Sequence, residues 1–199
     1  MSNPLTISYY TEETPYQCEA FTLLHCCRDL GIEAEIVGIP ARQSWAHNCA
    51  IKPFFIRYKL QEHKRPVFWV DVDAQFLQKP DFSEMVKWDI GVREIKRMAH
   101  VRRFRYVSGS LFFNYTQRSL AFLDAWCALC TEALAQQQDP VCLDQTSLAD
   151  LLDSAIEISL YPLPIAYAKI FDLDAELIAA EDVIVEHRQV SRLYKNLLS

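Results

Sequence analysis

Two carboxylates one residue apart, Asp71 and Asp73, follow directly on the apolar run Val67-Phe68-Trp69-Val70. Four large apolar residues in a row read as a strand buried on both faces of a parallel sheet. In open α/β folds ligands bind beyond the carboxyl ends of such strands, so the pair stands where a site is expected. Residues i and i+2 of an extended chain point to the same side, which brings the two carboxylates together. At that spacing they repel, and a hard divalent cation relieves the repulsion. Two acids in a solvated turn are the plainer reading of the same residues.

The elements that must position this pair alternate in type. Leu5 to Tyr10 is β-rich; Thr14-Pro15-Tyr16-Gln17 then supplies a cap, a proline at the first helical position and a glutamine three residues after the cap. The helical pattern runs to Gly31, a natural helix stop. Strands are expected at Glu35–Ile39, Val67–Val70, Trp88–Arg93, Tyr106–Phe113, Ile156–Leu160 and Val183–Glu186, and helices at Lys52–Leu60, Thr116–Gln137 and Asp144–Leu152. Strands alternating with helices predict an α/β fold with a mainly parallel central sheet flanked by helices, and residues 1–199 read as a single domain.

With these elements in place, Val67-Phe68-Trp69-Val70-Asp71-Val72-Asp73-Ala74 resembles the strand and D-x-D motif of GT-A glycosyltransferases, nearest to the glycogenin-like and lipopolysaccharide galactosyltransferase branch. Ser108-Gly109-Ser110-Leu111-Phe112-Phe113-Asn114 is similar to that branch's glycine-containing strand. Asp144-Gln145-Thr146-Ser147-Leu148 resembles its D-Q-x-x-L segment, and Glu186-His187 its late histidine. The motifs stand in the family's order over nearly the whole chain.

The resemblance implies a single-domain GT-A fold and transfer of a sugar from a nucleoside diphosphate sugar, a UDP-sugar by preference, to a hydroxyl acceptor. It implies Mn²⁺ or Mg²⁺ on Asp71, Asp73 and His187, and an imidazole beside two carboxylates suits Mn²⁺ better. Tyr9, Tyr10 and Thr11 would lie at the nucleoside, where a ring can stack on the base or simply pack against the core. Lys52, opening Lys52-Pro53-Phe54-Phe55-Ile56, would face the diphosphate or remain a surface lysine; Val72 and Gly109 complete the donor contacts. Asp144 and Gln145 would sit near the sugar carbon or the acceptor, although Asp144 can equally cap its helix. Gly109, one of four glycines, marks a close approach of backbone and ligand or a strand bulge. The D-Q segment leans towards retention. The polar residue often found two places before the glycine is here Val107.

Composition narrows the alternatives. The formal net charge of -6 disfavours nucleic acid as a partner. Six basic residues between Arg93 and Arg105, against Glu94 alone, read as a solvated loop, with an anionic acceptor or peripheral membrane contact left open. No run is long and apolar enough for a transmembrane span, and Met1-Ser2-Asn3-Pro4 lacks the pattern of a secretory signal, so a cytoplasmic location is expected. The seven cysteines are odd in number; Cys127 and Cys130 have C-x-x-C spacing but lie in an apolar helical run, which predicts buried thiols. A nucleotidyltransferase would carry a glycine-rich loop after its first strand, where this chain has Thr11-Glu12-Glu13-Thr14-Pro15. A catalytically degenerate nucleotide-sugar-binding or scaffold protein of the same fold is the alternative from another class.

Overall fold

A computed structural model of the chain describes residues 3–136, 143–154 and 157–194, without the side chains of Arg102, Arg103, Leu193 and Tyr194. The expected helix end at Gln137, strand start at Ile156 and thiol at Cys142 lie outside the described residues. The first strand, β1 (Leu5–Thr11), turns into α1 (Tyr16–Asp29). Pro15 is itself the N-cap. The Thr14 hydroxyl donates back to the Thr11 carbonyl at 2.7 Å, so the expected capping box does not form. Gly31, at φ +61°, stops the helix as expected, because that left-handed conformation costs glycine little.

Next come β2 (Ala34–Ile39), α2 (Trp45–Ala50), α3 (Lys52–His63), β3 (Val67–Val70) and β4 (Ala74–Phe76). They are followed by β5 (Ile90–Glu94), α4 (Arg102–Arg105), β6 (Tyr106–Phe113), α5 (Gln117–Ala135) and α6 (Leu143–Leu152). Short elements close the chain: β7 (Leu160–Pro162), β8 (Lys169–Ile170), β9 (Val185–His187) and α7 (Ser191–Tyr194).

The main sheet has the order β2-β1-β3-β6-β5-β7. Only β6 runs against its neighbours, so the sheet is mostly parallel, as expected. The strand expected at Val183–Glu186 forms as β9, but within a second sheet of order β4-β9-β8 that was not legible in advance.

Helices α3, α5 and α6 cover one face of the main sheet, burying Ile56, Leu60, Phe122, Trp126 and Leu148 against Ile7, Trp69, Leu111 and Phe113. On the other face α1 and the small sheet bury Leu23, Phe76 and Val185 against Phe68, Val70 and Phe112. Strand β3 therefore sends Val67 and Trp69 into one core and Phe68 and Val70 into the other, which is why its sequence is apolar without interruption.

The basic run is largely structural rather than a solvated loop. Arg93 is buried on β5, and its Nη2 donates to Asp174 Oδ1 at 2.8 Å while Nη1 donates to the Ala168 carbonyl at 2.6 Å. Arg97 joins the same carboxylate and the Leu173 carbonyl, and Arg105 pairs with Glu94 and Asp153. The side chains of Arg102 and Arg103 lie outside the described set.

Candidate active site

Strand β3 ends at Val70, and the next residues carry Asp71 and Asp73 to the rim beside the start of antiparallel β6. The Asp71 N–H donates to the Gly109 carbonyl at 2.8 Å, which continues the β3–β6 ladder to the rim. On its other edge β6 loses register: Val92 pairs with Leu111, but Arg93 pairs with Val107. Ser108, Gly109 and Ser110 therefore bulge from the β5 ladder, and a bulge re-aims side chains. The Ser108 hydroxyl donates to Asp144 Oδ2 at 3.0 Å, while Ser110 Oγ lies 2.7 Å from His187 Nε2. Val107 is buried in the core under the small sheet, so Ser108 provides the polar group on this side of the cleft.

Asp71, Asp73 and His187 each bring a ligand atom to within 4.8 Å of the others. Each is also half committed to the protein. Lys52 Nζ and the Trp69 indole N–H take Asp71 Oδ1 at 2.9 and 3.1 Å. The Val190 N–H takes Asp73 Oδ2 at 3.0 Å, and Ser110 takes His187 Nε2. That leaves Asp71 Oδ2, Asp73 Oδ1 and His187 Nδ1; the last is buried and has no hydrogen-bond partner among the described residues. A metal-bound histidine normally has its second nitrogen hydrogen-bonded in this way.

The electrostatics agree with a cation. Burial and the neighbouring Asp71 carboxylate push Asp73 up to about 7. Burial holds the His187 imidazole down to about 4, keeping the neutral form that ligates metal. Burial works against the charge of Lys52, but Asp144 and Asp71 outweigh it and hold the ammonium well above its ordinary range. Three carboxylates against one ammonium leave an excess of negative charge that a divalent cation cancels. The residues present fit Mn²⁺ or Mg²⁺, with the imidazole favouring Mn²⁺.

Asp71, Asp73 and Lys52 line a cleft of about 200 Å³ together with Tyr9, Tyr10, Thr11, Val72, Asp144 and Gln145. His187, clustered with the two carboxylates, is buried and is not part of the lining. Lys52 is buried, 5% exposed, and reaches Asp144 Oδ2 at 2.6 Å. Gln145 Oε1 accepts the Ser108 N–H at 3.4 Å. The Tyr9 ring packs against Phe55 and Trp69, and its hydroxyl donates to the Asn48 carbonyl at 2.7 Å, which is the packing alternative rather than a free stacking ring. Gly109 serves the bulge. A Cβ there would stand 3.0 Å from His187 Cε1, so the close approach it permits is that of the imidazole.

Solved structures provide a match where sequence models do not. No protein-family model matches the chain, and no curated protein matches it significantly. The crystal structure of a glycosyltransferase involved in the glycosylation of the major capsid of PBCV-1 superposes with a TM-score of 0.70 at 15% identity. The match covers 99% of this chain and 100% of that one. This is the GT-A fold. At that identity the likeness is one of architecture.

Within the GT-A frame several cleft residues were not singled out from sequence. Tyr16 opens α1 and Trp45 opens α2, and a side-chain hydrogen bond links them at the cleft. Asn48, Cys49, Trp69, Ser108, Gln189 and Ser191 also line it. The signal for α2 was present in Ser44, whose hydroxyl caps the helix by accepting the His47 N–H. Cys127 and Cys130 are buried on α5, far in character from a metal or redox pair, and burial pushes both thiols up to about 12.

Proposed function

We propose that the chain is a metal-dependent glycosyltransferase that moves a sugar from a nucleoside diphosphate sugar, UDP-linked by preference, to a hydroxyl acceptor. Residues 1–199 act in this reading as one GT-A domain. The observation that carries it is the set Asp71, Asp73 and buried His187, each with one atom held by the protein and one left over, with the two carboxylates lining a cleft that also holds Lys52 and Asp144. A bound divalent cation would offset the charge that develops on the departing diphosphate.

The chain's own residues do the rest. Asp71, Asp73 and His187 fix where the diphosphate must lie. Tyr16 and Trp45 offer aromatic surface at the cleft for the base, and stacking suits any base with a π face. Asp144 and Gln145 face the sugar. Asp144 Oδ2 already takes Lys52 at 2.6 Å and Ser108 at 3.0 Å, and a buried, doubly held carboxylate is a poor base for an acceptor hydroxyl. That favours retention of configuration over inversion.

Titration calorimetry of UDP and GDP, with and without Mn²⁺, on wild type and Asp73→Ala tests the donor site. Metal-dependent binding of UDP that Asp73→Ala abolishes is the expected result. Product analysis with UDP-sugars then reads turnover and anomeric configuration. Binding without hydrolysis or transfer would favour the degenerate scaffold, and no metal-dependent binding of either nucleotide would overturn the assignment.

A further inference from the structure

The sequence suggested Lys52 as a contact to the donor diphosphate, but its surroundings assign it different work. Lys52 opens α3, is 5% exposed, and its Nζ has four oxygen acceptors within 3.3 Å for three protons. Asp144 Oδ2 and Asp71 Oδ1 are the nearest at 2.6 and 2.9 Å; the Ser108 hydroxyl and carbonyl follow at 3.2 and 3.3 Å. The Trp69 ring closes another side, its centroid 5.6 Å from Nζ. A buried ammonium without paired anions would be too costly to keep charged, so turning towards a ligand means giving up a partner.

The two carboxylates that share this ammonium differ in role. Asp71 belongs to the cation cluster, whereas Asp144 does not. Lys52 and the Trp69 indole both load Oδ1 of Asp71, which leaves Oδ2 as the oxygen with spare capacity. We propose that Lys52 is a positioning residue that couples Asp71 to Asp144, so that the charge on Asp144 governs how strongly Asp71 can hold a divalent cation. This rests on Asp71, Asp73 and His187 being the cation site. The Asp144 carboxylate draws the ammonium and so frees Asp71 for the cation. With that carboxylate replaced by an amide, or engaged by a ligand, the ammonium falls to Asp71 and opposes the cation. A donor or acceptor that engages Asp144 would thereby be felt at the metal through the shared ammonium.

The test is a double-mutant cycle on Mn²⁺ affinity, measured by calorimetry without nucleotide, with thermal melts to establish folding. Asp144→Asn should weaken Mn²⁺ about tenfold in the wild-type background and no more than about threefold in Lys52→Met. Lys52→Met alone should tighten Mn²⁺ about tenfold by removing a neighbouring positive charge, and Lys52→Arg should restore wild-type affinity. An Asp144→Asn effect that is equal in both backgrounds would overturn the coupling. So would an unchanged Mn²⁺ affinity in Asp144→Asn alone, a result that stands even if Lys52→Met does not fold. Failure of the wild-type protein to bind Mn²⁺ at all would instead sink the cation site itself, and the coupling with it.

Discussion

Gly109→Ala is the smallest change that should damage the site, and its effect can be worked from distances. The added Cβ would lie 3.0 Å from His187 Cε1, 3.1 Å from Nδ1 and 3.3 Å from Nε2. Ordinary contacts begin near 3.4 Å, so the ring must retreat by a few tenths of an ångström. It has little room, because His187 is 1% exposed and its Nε2 is held 2.7 Å from Ser110 Oγ. Retreat disturbs that bond and the placement of the ring relative to Asp71 and Asp73. Overpacking of this kind costs ~1–3 kcal/mol, and a weakened hydrogen bond adds up to ~1 kcal/mol. At ~2–4 °C per kcal/mol for a chain of this size, a loss of about 2 kcal/mol lowers Tm by roughly 4–8 °C. Misplacing a ligand should weaken Mn²⁺ by ~10–100-fold, the usual range for disturbing groups that orient a metal ligand. Thermal denaturation and Mn²⁺ calorimetry read the two effects separately. Adding His187→Ala should remove the clash and abolish any further loss of metal affinity from Gly109→Ala. A Gly109→Ala protein with wild-type Tm and wild-type Mn²⁺ affinity would refute the reasoning.

Other perturbations test the frame around the site. Trp69→Phe keeps the ring packing but removes the indole N–H from Asp71 Oδ1, so Mn²⁺ affinity measured by calorimetry should fall several-fold with modest loss of stability. Asp174→Asn leaves Arg93 buried with a neutral partner and should cost ~3–5 kcal/mol in urea denaturation, while Arg93→Met with Asp174→Leu should recover much of it. Burial alone would raise the pKa of Asp174, but Arg93 and neighbouring donors hold it below its ordinary value. Its contribution is therefore present above the unfolded pKa of ~3.9 and is lost as pH falls through the lower folded value. An acid titration followed by circular dichroism should show wild type losing stability relative to the double variant in that window. Cys127 and Cys130 should resist alkylation at pH 8 in the native protein and react only in urea, whereas exposed Cys18 should label at once, as peptide mass mapping can read.

The legible parts of the fold and site were those written locally. An unbroken apolar run announces a buried central strand, which β3 is, and the two acids after it do come together, with His187 beside them. Glycine after a helix, and threonine before α5, likewise act on their own neighbours. What could not be read depends on pairings across long stretches of chain. Ser110 meets His187 across 77 residues and Val190 meets Asp73 across 117. Arg93 looks like one more charge in a basic loop until β5 carries it against Asp174, 81 residues on. The small sheet escaped because β4 and β8 have only three and two residues, too few for a period to show, and so β9, though expected as a strand, had no visible partners.

The direction of one strand explains why the two halves of the site meet. Parallel β1 and β3 present their carboxyl ends at the rim, delivering Thr11 and Asp71. Antiparallel β6 instead begins at that rim, so its first residues stand beside Asp71. Had β6 run parallel, Ser108 to Ser110 would lie at the opposite edge. The bulge then divides their contacts between layers: Ser108 meets Asp144 and Lys52 on the helical face, and Ser110 meets His187 on the face of the small sheet. Gly109 lies between them without a side chain because the imidazole occupies that space. A short irregular stretch of β6 thus ties the cation cluster to the carboxylate across the cleft, and substitutions there should disturb both together.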